Sequence, residues 1–353
     1  MFNRKFIYNA LPGRINFGAG SLASLAEEID RLGCRRVLVL TTPEQKDQGD
    51  MVKDLIGDRW VASFNQATMH VPTDVVDQAL VVAEANNVDC FVGIGGGSTT
   101  GLGKALALRS ERPIIAIPTT YAGSEMTPIW GLTENGIKKT GRDPRVLPTS
   151  VIYDPDLTMT LPSFISGPSG VNAIAHCVEA LYAPDANPIT SLIAEEGIRA
   201  LSSSLPVVVS TPDDKEARSD ALYGAYLAGT ALAAVGMSLH HKLCHTLGGS
   251  FNLPHADVHT IILPYATRYN SEAAPEAMQR ICRAMGTDDA ALGLYDLNRC
   301  INAKSGLKDI GFEEKDIEKA ADIATQNPYA NPEPVTKEGV IKLLTDACHG
   351  VRP

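Results

Sequence analysis

Asn172, His176, His241, His245 and His255 combine the side-chain types and spacing that a divalent cation wants. Asn172 and His176 stand four residues apart, so on a helix both project from one face, and His241 and His245 repeat that offset further along. His255 follows Pro254, where a chain can leave a helix and turn back toward the same point. Catalytic divalent sites commonly take neutral imidazoles plus a carboxylate and keep one position open. Here the position that would carry the carboxylate carries an amide, so the set has lost its one negative charge. One histidine on a helix is ordinarily a packing or hydrogen-bonding residue; four at these offsets point to a site.

Two polar turns have a different chemistry. The run 93-GIGGGSTTGLGKA-105 follows an apolar strand and opens a helix, so Gly95, Gly96, Gly97 and Ser98 can bring backbone N–H groups against a pyrophosphate. No GK[ST] follows at the spacing of a nucleoside-triphosphate loop. The next strand ends in 118-PTTYAGSEMTP-128, whose Thr119, Thr120 and Ser124 can bond a phosphate or a nicotinamide carboxamide. In a parallel sheet both turns would serve one dinucleotide beyond the carboxyl ends of the strands. Thr41 and Thr42 end an earlier strand, where many NAD enzymes place a carboxylate for the ribose. Without it a 2′-phosphate is not repelled, so Thr42 is expected at a site using NADH or NADPH.

The elements needed to position these groups are legible in outline. Strands are expected at 36–41, 60–64, 89–95, 113–118 and 150–154, alternating with helices near 46–56, 73–86 and 98–109. After residue 160 the periodicity turns helical, at 171–183, 188–204, 214–234, 237–250, 274–285, 289–303, 315–326 and 336–348. The expected fold class is therefore an α/β dinucleotide-binding domain (1–160) followed by an all-α catalytic domain (161–353), with the active site in the cleft between them. A length of 353 residues suits two domains. A net charge of −10 argues against nucleic acid or an anionic membrane surface as a partner. Seven scattered cysteines without a CxxC pair, and no apolar run of spanning or secretory length, lead to the expectation of a cytoplasmic protein. Cys177 and Cys244, beside His176 and His245, read as core packing.

Gly95–Ser98, the turn from Pro118 to Glu125, Asn172 with His176, and His241, His245 and His255 together resemble the iron-containing alcohol dehydrogenase and dehydroquinate synthase-like superfamily. In its pattern the metal ligands correspond to Asn172, His176, His241 and His255, and His245 to the catalytic position facing the nicotinamide. Asn172 departs from that pattern, as do Gly101, where Asp is common, and Ala256, where Gly follows the last histidine. Those departures, with 119-TTYAGSEMTPIWGLTE-134, 137-IKKTGRDPRVLPTSVIYDPDLT-158, 170-GVNAIAHCVEALYA-183 and 239-LHHKLCHTLGGSFNLPHADVH-259, are similar to one subgroup, the maleylacetate reductases. The similarity runs from Pro12 to 327-NPYANP-332.

It implies NADH- or NADPH-dependent reduction of the carbon–carbon double bond of 2-maleylacetate to 3-oxoadipate, in aromatic compound degradation. It also implies no required metal, a homodimer, and a small dicarboxylate substrate. His245 would then be the acid or enolate stabiliser, with His176, His241 and His255 lining the pocket and Asn172 orienting one of them. Lys138, Lys139, Arg142, Arg145, His240 and Lys242 are candidate carboxylate partners, and Tyr329 a candidate donor. The competing expectation is a metal-dependent alcohol dehydrogenase, with iron or zinc, on the same fold; a lyase regenerating its dinucleotide and an inactive dinucleotide-binding protein are more distant ones.

Overall fold

Val37–Leu40, Cys90–Gly95 and Ile114–Pro118 are runs of apolar residues without alternation, each buried along its whole length. Such runs suit strands covered on both faces, as in a parallel sheet. The computed structural model describes every residue except 1–5, 7, 9, 12 and 135, so Pro12, where the family similarity begins, lies outside the described residues.

One compact unit comprises Leu11–Leu161. Its strands are β1 (Arg14–Phe17), β2 (Val37–Leu40), β3 (Trp60–Phe64), β4 (Cys90–Gly95), β5 (Ile114–Pro118), β6 (Ile129–Glu134), β7 (Ile137–Arg142) and β8 (Ser150–Tyr153). Six form a parallel sheet in the order β1-β8-β5-β4-β2-β3. Four helices accompany it: α1 (Leu25–Arg31), α2 (Lys46–Ile56), α3 (Thr73–Ala85) and α4 (Gly97–Ser110). Val37, Val39, Val92, Ile94, Ile115 and Ile117 pack with α1 and α2 through Leu25, Ile29, Val52 and Ile56. Leu38, Leu40 and Phe91 pack on the other face with Val76, Ala79, Leu102 and Leu106 of α3 and α4. Each such fully buried side chain contributes roughly 1.5–3 kcal/mol of transfer free energy. The chain runs from β2 outward to β3 and returns to β4 on the opposite side of β2, so the strand order reverses between β2 and β4. Dinucleotides bind at that kind of position in open α/β sheets.

β1, α1 and the antiparallel hairpin β6–β7 are absent from the sequence expectation. The hairpin's second strand reads IKKTGR, polar and largely exposed, and gives no apolar alternation to detect.

The other unit comprises Pro162–Pro353, joined by the described residues ahead of Leu11. It holds α5 (Ser163–Tyr182), α6 (Pro188–Ser210), α7 (Lys215–Ala234), α8 (Leu239–Phe251), α9 (His255–Asn270), α10 (Pro275–Met285), α11 (Ala290–Cys300), α12 (Ile317–Gln326) and α13 (Lys337–His349). Two corrections bear on the site. Helix α5 begins eight residues before the expected 171, because Pro168 and two glycines interrupt its apparent periodicity. Those glycines serve packing: a Cβ on Gly170 would come within 2.7 Å of Leu205 Cδ1 on α6. Helix α9 is missing from the expectation altogether. Its run Thr260-Ile261-Ile262-Leu263-Pro264 has strand-like propensity and an internal proline. Burial decides otherwise, since Val258, Ile261, Ile262 and Tyr265 enter the core shared with α8, α12 and α13. Among the described residues no single helix is long and apolar enough to cross a membrane.

Candidate active site

Three helices bring the imidazoles together. Helix α5 carries Asn172, His176 and Glu179; α8 carries His240, His241 and His245; α9 carries His255 and His259. His176 Nδ1 lies 2.9 Å from His241 Nε2, with their rings stacked. On its other side His241 Nδ1 donates to Glu179 Oε2 at 2.7 Å. Glu179 is wholly buried and also accepts from the backbone N–H groups of Ser238 and His240, at 2.7 Å each. It thereby satisfies donors that the start of α8 leaves unpaired and fixes the His241 ring through the same carboxylate. Asn172 Oδ1, on α5 one turn before His176, is buried without a hydrogen-bond partner among the described residues.

His245 lies outward. It is exposed, its ring centre is 6.1 Å from that of His241, and its Nδ1 is 3.2 Å from Tyr329 Oη. Burial raises the Tyr329 pKa above its ordinary value, so the hydroxyl keeps its proton at neutral pH. Lys242 Nζ sits 5.5 Å from the centre of the Tyr329 ring, beside the same group. His255 is exposed at the start of α9.

Glu179 and His259 are absent from the sequence expectation, and the setting of His240 differs from it. His240 is fully buried, so it cannot meet a carboxylate from solvent; its Nε2 is 3.0 Å from His259 Nδ1. Burial, reinforced by the surrounding imidazoles, holds both rings well below the usual imidazole pKa, so both are neutral at physiological pH. The i, i+4 pair of His255 and His259 was a visible signal for a helix that was not expected. Cys177 and Cys244 are buried with raised thiol pKa values, as packing residues should be.

The residues expected at a dinucleotide assemble within the first unit. Gly95 has φ +152°, and a Cβ there would lie 2.6 Å from Gln45 Oε1. Glycine is therefore required for backbone and space together. Thr119 N–H donates to Gly95 O at 3.0 Å, tying the two turns to each other. Gln45, a further missed residue, joins the third turn, donating from Nε2 to Thr119 Oγ1 at 2.8 Å while Thr42 Oγ1 donates to its Oε1 at 3.4 Å. Gly96 backs onto Thr120, whereas a Cβ on Gly97 would meet nothing within 4 Å. That open space lies at the N-terminus of α4 beside Ser98, the setting in which a phosphate meets helix N–H groups. Gly101 packs against Val71, which a side chain there would strike at 2.7 Å.

Ser124 is held from behind by Lys104, a buried lysine on α4 whose Nζ donates to Ser124 O at 2.6 Å, Thr127 Oγ1 at 2.9 Å and Ile129 O at 2.8 Å. Burial pulls the Lys104 pKa down to about 7. Thr41 is buried and its hydroxyl is engaged, donating to Asn65 Oδ1. Arg145 is occupied by Asp143 and Glu111, and Lys139 by Glu134.

A parallel sheet with glycine-rich turns at its strand-order reversal, and a helical unit with a buried imidazole cluster, define a class of dinucleotide-dependent oxidoreductases. Residues 12–155 match the family profile described as iron-containing alcohol dehydrogenase, and residues 167–348 match that of the Fe-containing alcohol dehydrogenase family, C-terminal. The chain belongs to the iron-containing alcohol dehydrogenase family and is an NAD(P)H-dependent oxidoreductase with its dehydroquinate synthase-like fold. Its relatives include the maleylacetate reductases of Sphingobium indicum, 53% identical over 349 residues, and Burkholderia cepacia, 54% identical over 348. In both cases 99% of each chain is covered. The crystal structure of maleylacetate reductase from Agrobacterium tumefaciens is 51% identical, with a TM-score of 0.96 and 99% of each chain covered.

Family membership corrects the expectation that no metal is required, because both profiles are those of an iron-containing family. The physical basis of the error is visible. Asn172 carries no charge, yet its oxygen is buried with no hydrogen-bond partner among the described residues, and Glu179 supplies a carboxylate behind His241. Two imidazole nitrogens 2.9 Å apart, an orphaned amide oxygen and a carboxylate-backed histidine fit a divalent ion.

Proposed function

We propose that this chain reduces the carbon–carbon double bond of 2-maleylacetate to 3-oxoadipate with NADH or NADPH. The observation that carries this reading is end-to-end similarity, at about half of all positions, to relatives named maleylacetate reductase. The first unit would hold the dinucleotide through Thr42, Gly95–Ser98, Thr119, Thr120 and Ser124. The second would hold the reacting carbons, and the protein would act as a cytoplasmic homodimer. Seven free thiols agree with a reducing compartment.

When bound, a reduced nicotinamide supplies hydride, and a divalent ion at Asn172, His176, His241 and His255 supplies Lewis-acid polarisation of a carbonyl oxygen. Hydride addition at the alkene carbon beta to the ketone would leave an enolate on the substrate. His245, protonated, donates its Nδ1–H to Tyr329 Oη, and this orients Nε2–H toward the alpha carbon, where the proton is delivered. Lys242 meets a substrate carboxylate. Glu179 holds His241 in the tautomer whose Nε2 lone pair faces His176. A continuous assay of nicotinamide absorbance with freshly generated maleylacetate tests the reading: substrate-dependent oxidation is expected, and its absence with folded, metal-loaded protein overturns it.

A further inference from the structure

In the reaction above Tyr329 aims His245, yet its own segment, 327-NPYANPEP-334, lies in neither helix nor strand. Pro328, Pro332 and Pro334 have no backbone N–H to donate, so side chains must do much of the anchoring. Asn331 Nδ2 donates to Asn270 Oδ1 and to Glu333 O, at 2.7 Å each, while Asn331 Oδ1 accepts from Asn270 Nδ2 at 3.1 Å. The two amides thus exchange a pair of hydrogen bonds. Their polarity is fixed at both ends by carbonyls, which can only accept: Glu333 O for Asn331, and Ala266 O, 3.3 Å from Asn270 Nδ2, for Asn270. Asn270 is wholly buried and ends α9. The Leu239 N–H, one of the donors left over at the start of α8, also reaches Asn331 Oδ1, at 3.4 Å.

Asn331 therefore lies against the first turn of α8. Two residues back, Tyr329 meets Lys242 and His245 further along the same helix. From Leu239 to His245 a helix rises about 9 Å. Two extended residues reach about 7 Å, and the tyrosine side chain covers the remainder. We propose that the Asn270–Asn331 amide pair is a positioning device for the reaction: it sets where along α8 the Tyr329 hydroxyl lies, and so the direction in which His245 presents its proton. The inference rests on the roles given above to His245 and Tyr329. Prolines 328 and 332 lock φ on both sides, so a shift at Asn331 is passed on to Tyr329 rather than absorbed between them.

A double-mutant cycle between position 331 and the Tyr329 hydroxyl tests this, in full-length, metal-loaded protein with maleylacetate and NADH. Asn331→Ala is expected to lower kcat by about as much as Tyr329→Phe does, with KM for both substrates unchanged. The double variant should be about as active as either single one, because the hydroxyl that Asn331 places is already gone. A merely structural role would instead lower kcat by the same factor with or without that hydroxyl. Should Asn331→Ala fail to fold, Asn331→Asp, which keeps the shape and loses the amide donor, goes through the same cycle. Multiplying losses, or an unchanged kcat in the folded position-331 variant, overturns this inference and leaves the roles of His245 and Tyr329 standing. Full activity of Tyr329→Phe, or no turnover by the unaltered chain, overturns both.

Discussion

In the proposed reaction His245 and Tyr329 do different things to one proton, so mutation should separate them. His245→Ala should lower kcat by roughly 10²- to 10⁴-fold, the usual worth of a positioned proton donor, with an unchanged circular dichroism spectrum. Tyr329→Phe removes the acceptor that aims the imidazole and should cost less in kcat, while Lys242→Met should act mainly on KM for the dianionic substrate. An effect of Lys242→Met confined to kcat would remove it from carboxylate binding. The shared helix faces of Asn172 with His176 and of His241 with His245 were legible, because their offsets follow from helix geometry alone. Glu179 was not legible, because a carboxylate three residues beyond a histidine looks like any other charge until its burial is known. Asn172 shows the opposite failure, where formal charge was weighed and the lack of any competing partner for its oxygen could not be.

The turn after β4 and the buried lysine of α4 make predictions of their own. A Cβ at Gly97 meets nothing, so Gly97→Val should leave the thermal unfolding midpoint nearly unchanged and weaken NADH binding at least tenfold, measured by fluorescence titration. Equal losses of stability and binding would point to a structural turn instead. Lys104 has a folded pKa of about 7 against an ordinary value of 10.5. Between these values the unfolded chain binds a proton that the folded chain does not, so this group makes stability rise with pH from about 7 to about 10.5. Urea midpoints of the unaltered protein and Lys104→Met at pH 7 and pH 9.5 read the difference. The variant should lack part of the rise, and identical pH slopes would contradict the assignment. Glu179→Gln should destabilise by roughly 1–3 kcal/mol, since it weakens both the start of α8 and the seat of His241. Strands β2 to β5 and most helices could be read because period and burial agree in them. Helix α9 could not, because β-branched residues and Pro264 argue locally for another structure and only tertiary packing overrules them.

For the molecule as a whole, the two units should respond differently to loss of metal. A chelator should abolish turnover and lower the unfolding temperature of the helical unit, with recovery on adding back Fe²⁺ or Zn²⁺. A free ion at a hundredfold excess over Kd stabilises the folded state by about 2.7 kcal/mol. Dinucleotide affinity of the sheet unit should change little. The reaction itself is read most sharply with NADH deuterated at the transferred position and freshly generated maleylacetate, followed by NMR of the product. The expected product is 3-oxoadipate, its ketone intact, with one deuterium on the carbon beta to that ketone. A hydroxy acid that keeps the double bond and carries deuterium on the former carbonyl carbon would instead mark an alcohol dehydrogenase and contradict the assignment of this chain.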